Sequence, residues 1–213
     1  MTKAPAISKT KRKLIDAAHA LIWANSYAQV SVEDICREAG VQKGSFYHFF
    51  PTKSDLAAAA LEDHWQANCA DFEAIFTGGS DPRKQLKILC QEILEEQKES
   101  LATTGVVCGC PYAMLGTQVN DSGQQKLHAM SQQMSERFSG YFEQLLKNAA
   151  KLGYIPKAGL ARTAREMHIY TLGAMLQARL TNTLDAVGPN LHAALLRLSR
   201  MDVPQTQKKR TKH

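Results

Sequence analysis

The chain has 213 residues, a hydrophobic fraction of 44%, a formal net charge of +6 and a pI near 9.1. That length can bury a full core. No apolar run is long enough to cross a bilayer or to act as a secretory signal, which implies a cytosolic protein and no membrane partner. The positive excess suits a polyanionic partner and is uneven: Lys3, Lys9, Lys11, Arg12 and Lys13 crowd the start, and Lys208, Lys209, Arg210 and Lys212 crowd the end.

Residues 1–8 read as a flexible basic arm. Thr10 to Ala24 follows as a helix with Leu14, Ala17, Ala18, Leu21 and Ile22 on one face. Ser31 can cap a second helix, with Asp34 completing a capping box. Val32, Ile35, Cys36 and Ala39 form its apolar stripe. Gly40 breaks it, because only glycine enters the left-handed conformation without steric cost. A third helix starts at Gln42 or Lys43 and buries Phe46, Phe49 and Phe50. Gln42, Lys43, Ser45, Tyr47 and His48 are left facing outward. That outer side has no acid, several hydrogen-bonding groups and a cation, in a length that suits a DNA major groove. Pro51 ends the helix. Thr52 caps the next one and places Lys53 in its first turn, near where a phosphate would approach.

The run Val32-Glu33-Asp34-Ile35, Ala39-Gly40-Val41, Lys43-Gly44-Ser45-Phe46-Tyr47-His48-Phe49-Phe50, Lys53 and Leu56 resembles the DNA-binding signature of the TetR family of transcriptional regulators. The resemblance covers about the first quarter of the chain. It implies an all-α homodimer, with a helix-turn-helix head that binds a palindromic site in double-stranded DNA and a helical body that binds a small-molecule effector. Ser26 departs from the family, which usually has glycine there, so the turn is expected to rely on Asn25 in the left-handed region.

The head is expected over residues 9–55, an effector-binding and dimerisation body over 56–203, and a disordered basic tail over 204–213. A long helix after Thr52 carries Leu56, Ala60, Leu61, Trp65, Cys69 and Phe72 from head into body. Thr77 to Pro82 is a loop. A helix from about Arg83 to Glu99 buries Leu86, Leu89, Cys90, Ile93 and Leu94, and Thr103 to Cys110 is a bend. Pro111 opens a short helix toward Val119, Asn120 to Gly123 turns, and a long helix carries Leu127, Met130, Met134, Phe138, Tyr141 and Leu145. The segments from Leu160 to about Leu184 and from Pro189 to Met201 are apolar on more than one side. They need cover, either inside the monomer or at a two-fold interface.

The chemistry of the body centres on Val106 to Met114. Cys110 precedes Pro111 and so falls at a helix N-cap, where the dipole and free N–H groups favour a thiolate. Cys108 could resolve an oxidised Cys110. Gly109-Cys110 also resembles a segment in a TetR subgroup that senses electrophiles and unsaturated small molecules. The plain alternative is that both cysteines are small core residues. Tyr112, Met114, Met134, Phe138 and His168 are candidates for the effector site, with core packing as the alternative for each. Cys108, Cys110 and His128 lack the second ligand pair of a zinc site, so no metal is expected. No hydrolase or phosphate-loop motif is present, so no catalytic residue or cofactor is expected. The reading is an effector-responsive repressor. A thiol-dependent, peroxidase-like enzyme using Cys110 is the enzyme alternative, and a plain helical interaction module the third.

Overall fold

Ser8 accepts a hydrogen bond from the Lys11 backbone N–H at 3.2 Å and starts the first helix. The structure, a computed structural model, describes residues 7–77, 79–118 and 125–202. Among these residues it has nine α-helices and no strand: α1 (Lys9–Ala24), α2 (Val32–Ala39), α3 (Lys43–Phe49), α4 (Lys53–Thr77), α5 (Pro82–Thr104), α6 (Pro111–Gln118), α7 (Gln125–Lys151), α8 (Leu160–Thr181) and α9 (Pro189–Ser199). The basic tail, the turn at 120–123 and most of the N-terminal arm lie outside the described residues.

Local chemistry builds the head. Ser31 Oγ accepts the Asp34 N–H at 3.1 Å while Asp34 Oδ2 accepts the Ser31 N–H at 3.0 Å, a complete capping box at the start of α2. Gly40 adopts φ 62°. The next N–H, of Val41, returns to the Cys36 carbonyl at 2.9 Å and closes the turn. Leu14, Ile35, Phe46 and Leu56 are fully buried between α1, α2, α3 and the start of α4. Phe50 is buried as well, whereas Phe49 is only half-buried.

The turn after α1 differs from expectation. Asn25 is extended (φ −112°, ψ −164°) and not left-handed. Its backbone N–H and its side-chain amide both donate to the Leu21 carbonyl at 3.0 Å. Ser26 then accepts the Gln29 N–H at 3.1 Å, and no residue in the turn has a positive φ. Serine therefore fits where the resembled family has glycine.

From the head, α4 runs into the body. There Trp65, Phe72 and Phe76 meet Phe138 and Tyr141 of α7, with the Phe76 and Tyr141 rings stacked 4.9 Å apart. Aromatic pairs in such geometry add to the burial they supply. Helix α5 runs past Glu99 to Thr104, where Gly105 ends it at φ 76°. Its last turn has no apolar stripe to reveal it; Thr103 and Thr104 bond back to carbonyls of the preceding turn. Helices α8 and α9 stop at Thr181 and Ser199, each closed by a left-handed residue, Asn182 and Arg200. Leu191 and Leu195 are fully buried within the chain. On α8, Ile169 (67%), Leu176 (45%) and Leu180 (73%) stay exposed.

Candidate nucleic-acid interface and effector pocket

Helix α3 presents the outward set that its sequence pattern implies. Gln42, Lys43, Tyr47 and His48 are exposed and Ser45 is half-buried. Phe46 anchors the opposite side, and its ring meets Tyr47 edge-on at 5.1 Å. Lys43 pairs with Glu33 of α2, which holds its ammonium at the start of α3. The pairing raises the Lys43 pKa and lowers that of Glu33.

Lys53 stands apart from this set. Its ammonium donates to the carbonyls of Tyr27 (2.7 Å) and Val30 (2.8 Å) and lies 4.1 Å from the centroid of the Tyr27 ring. It is half-buried, and burial lowers its pKa. Lys53 therefore ties α4 to the α1–α2 turn. Arg12 is likewise engaged: two bonds of 2.7 Å join its guanidinium to Asp63 of α4. Lys9 and Lys13 are exposed beside it.

In the body, a cavity of about 200 Å³ opens between α6, α7 and α8. Four expected residues line it: Cys110, Tyr112, Phe138 and His168. Tyr112 Oη and Ser131 Oγ, both in its wall, are buried with no hydrogen-bond partner among the described residues. Such groups favour a ligand that can supply the missing bond. His168 Nδ1 lies 2.9 Å from Ser139 Oγ, and burial lowers its pKa, so the ring is neutral near pH 7. Met114 and Met134 are not in this wall. Met114 lines a small crevice beside Cys108 and Arg179, and Met134 is buried core.

The Cys108-Gly109-Cys110 loop is held from three sides. Buried Gln97 of α5 accepts the Gly109 N–H at 2.8 Å and the Cys108 thiol at 3.4 Å. Asn182, at the end of α8, accepts the Val107 N–H at 2.9 Å. Arg179 donates to the carbonyls of Val107 and Cys108. Cys110 does precede α6, and its carbonyl accepts the Met114 N–H at 2.9 Å. The expected low pKa is corrected. Burial pushes Cys110 up to about 11, outweighing the N–H groups of Ala113 and Tyr112 that favour the thiolate. Burial also raises Cys108, to about 11. Both are protonated at neutral pH, because an N-cap stabilises a thiolate less than dehydration penalises it here. Among the described residues no group of His, Cys, Asp or Glu is arranged to hold a metal ion.

The sequence reading missed Gln97, Gln118, Ser131, Arg179 and Asn182. Gln97 carried a signal: it continues the 86, 89, 90, 93 spacing of buried residues, and a polar side chain in an apolar stripe marks an internal hydrogen bond. For Arg179 no local signal exists, since its partners lie 71 to 156 residues away.

An acid-free, outward-facing third helix on a capped helix-turn-helix, joined to a helical body, fits a DNA-binding transcriptional regulator. Residues 14–60 match the family described as bacterial regulatory proteins, tetR family. It is 24% identical over 178 residues to the HTH-type transcriptional repressor NemR of Escherichia coli, covering 83% of this chain and 87% of that protein. It is also 24% identical over 188 residues to an uncharacterised HTH-type transcriptional regulator of Lactococcus lactis, covering 86% and 90%. The crystal structure of reduced E. coli NemR superposes with a TM-score of 0.75 at 21% identity, covering 89% of this chain and 96% of that one.

Proposed function

We propose that the chain is a cytoplasmic homodimeric repressor, released from a palindromic operator when a small molecule occupies the cavity between α6, α7 and α8. Residues 9–55 form the reading head and 56–203 the effector-binding and dimerisation body. Gln42, Ser45, Tyr47 and His48 read bases, and Lys43 approaches a phosphate once DNA competes with Glu33. Cys110, Tyr112, Phe138 and His168 contact the effector.

The observation that carries this reading is the position of α6. It starts at Pro111, directly after Cys110 in the cavity wall, and ends at Gln118, whose side chain bonds the head at Tyr27. A ligand that pushes on α6 therefore acts on the head. A ligand shifts an equilibrium only by its differential affinity for two states, and this wall is part of what would differ. Repression is supported by the name of the NemR relative. Because Cys110 lines the cavity, a soft electrophile admitted there meets a thiol, and a covalent adduct is a second way of filling the same space.

The test is a DNA-binding titration of the wild type, Cys110→Ser and Cys108→Ser, with and without a quinone. Release of the wild type with retention of Cys110→Ser supports covalent sensing. Equal release of both supports reversible occupancy. No release by quinones or by a library of small neutral carbonyl compounds would count against effector control through this cavity.

A further inference from the structure

We infer that Arg179 is a positioning residue that sets the angle of the DNA-reading head on the body. The inference rests on the reading of the chain as a dimer that binds paired half-sites. Arg179 sits in the last turn of α8. Its Nη1 donates to the carbonyls of Trp23 (3.1 Å), Val107 (3.1 Å) and Cys108 (3.2 Å), and its Nη2 to that of Asn25 (3.4 Å). Trp23 and Asn25 belong to the end of α1, in the head. Val107 and Cys108 belong to the loop that leads to the cavity. One guanidinium therefore joins three segments that are distant in sequence.

The geometry explains why this matters. The covalent link between head and body is α4, and a unit fixed through one helix can swing as that helix bends. Gln118 ties the head to α6 at Tyr27, and Arg179 adds an attachment at the far end of α1 that limits the swing further. The carbonyls at the end of α1 are the negative pole of that helix and lack partners within it, so a cation is favoured there. A planar guanidinium fork can bond two segments at once, whereas an ammonium is a single point. The loop cannot shift alone, because Gln97 and Asn182 hold it from the other side. Gly109, at φ 71°, packs beside Arg179: a Cβ there would lie 3.5 Å from Arg179 Cδ, an ordinary van der Waals contact. Displacing the loop at Cys110 therefore displaces acceptors that Arg179 shares with the head.

In a dimer the two heads must match the spacing of two half-sites on DNA. The gain from binding both together depends on how well the geometry is held. A head that swings binds a single half-site normally, loses part of that gain at the best spacing, and accepts other spacings more readily.

The experiment uses full-length protein and an operator recovered by in vitro selection with the wild type. It compares that operator, versions with the centre lengthened or shortened by one and two base pairs, and a single half-site. Arg179→Ala is expected to bind the half-site like the wild type, to lose about tenfold in affinity for the full operator, within the usual range of site-to-site coupling, and to show a flatter spacing profile. Arg179→Lys should fall between the two. A spacing profile of Arg179→Ala that superposes on the wild type overturns the inference. Should Arg179→Ala not fold, a superposing profile of Arg179→Lys overturns it equally. If the selected wild-type site shows no paired half-sites, the dimeric-operator reading fails first and takes the inference with it.

Discussion

The backbone N–H of Tyr27 donates to Gln118 Oε1 across 2.6 Å, so the last residue of α6 holds the turn that leads into the helix-turn-helix. The bond is partly buried, and breaking it leaves a backbone donor unmatched. Gln118→Ala is expected to lower stability by about 1 kcal/mol, read as a drop in the urea midpoint. It should also weaken the effect of a cavity ligand on DNA affinity more than DNA affinity itself. Equal ligand effects in the two proteins would separate α6 from the switch.

Lys53 offers a sharper contrast. Its place in the family-like run implies a phosphate contact, whose loss would reduce the salt dependence of binding by about one unit. Its ammonium is already bonded to the Tyr27 and Val30 carbonyls. Lys53→Ala is therefore expected to destabilise the head by roughly 1.5–3 kcal/mol, the range for hydrogen bonds to a charged group. The slope of log affinity against log salt should stay unchanged. Melting curves and salt titrations of the same variant decide between the two roles.

Two leucines near the C-terminus should respond differently to charge. Leu180 is 73% exposed on the uncovered face of α8, while Leu195 is fully buried within the chain. Leu180→Asp is expected to give a folded monomer with impaired operator binding. Leu195→Asp is expected to unfold the body, because an unpaired charge would sit in its core. Sedimentation and circular dichroism separate the outcomes; a Leu180→Asp dimer as tight as wild type would remove this face from the interface.

The capping box gives the head an acid limit. Asp34 is held down to about 2 from 3.8, first by the Ser31 hydroxyl, then by the Ser31 N–H and by Arg37. A carboxylate whose pKa is lower in the folded chain contributes stability that is complete above the unfolded value and is lost as pH falls through the folded one. The stability difference between wild type and Asp34→Ala should thus be constant above about pH 5 and shrink between roughly pH 4 and 2. Urea midpoints across that range measure it; a difference that persists at pH 2 would mean that the box acts without its charge.

The head was legible in the sequence because its rules are short-range. Ser31 and Asp34, Gly40, and the Phe46 stripe each act within a few residues. Asn25 misled for the same reason: a local preference for the left-handed region lost to a side-chain bond back to Leu21. The body was legible only as helices. The N-cap position of Cys110 follows from Pro111, but its protonation follows from how closely the packed body excludes water. The cavity joins residues of three helices, and no spacing along the chain announces Ser131 or Arg179 as neighbours of the Cys108–Cys110 loop.

The burial of Cys110 also has a consequence in time. A protonated thiol enclosed in protein reacts only during the moments when its surroundings open. Its alkylation rate should rise with reagent at low dose and then level off at the rate of opening, while the half-buried Cys69 continues to follow concentration. A brief pulse of electrophile would then pass with few molecules modified, whereas a sustained low level would convert most of them. Under the covalent route proposed above, the buried thiol would make the protein a record of accumulated exposure, with a memory set by how often one loop opens.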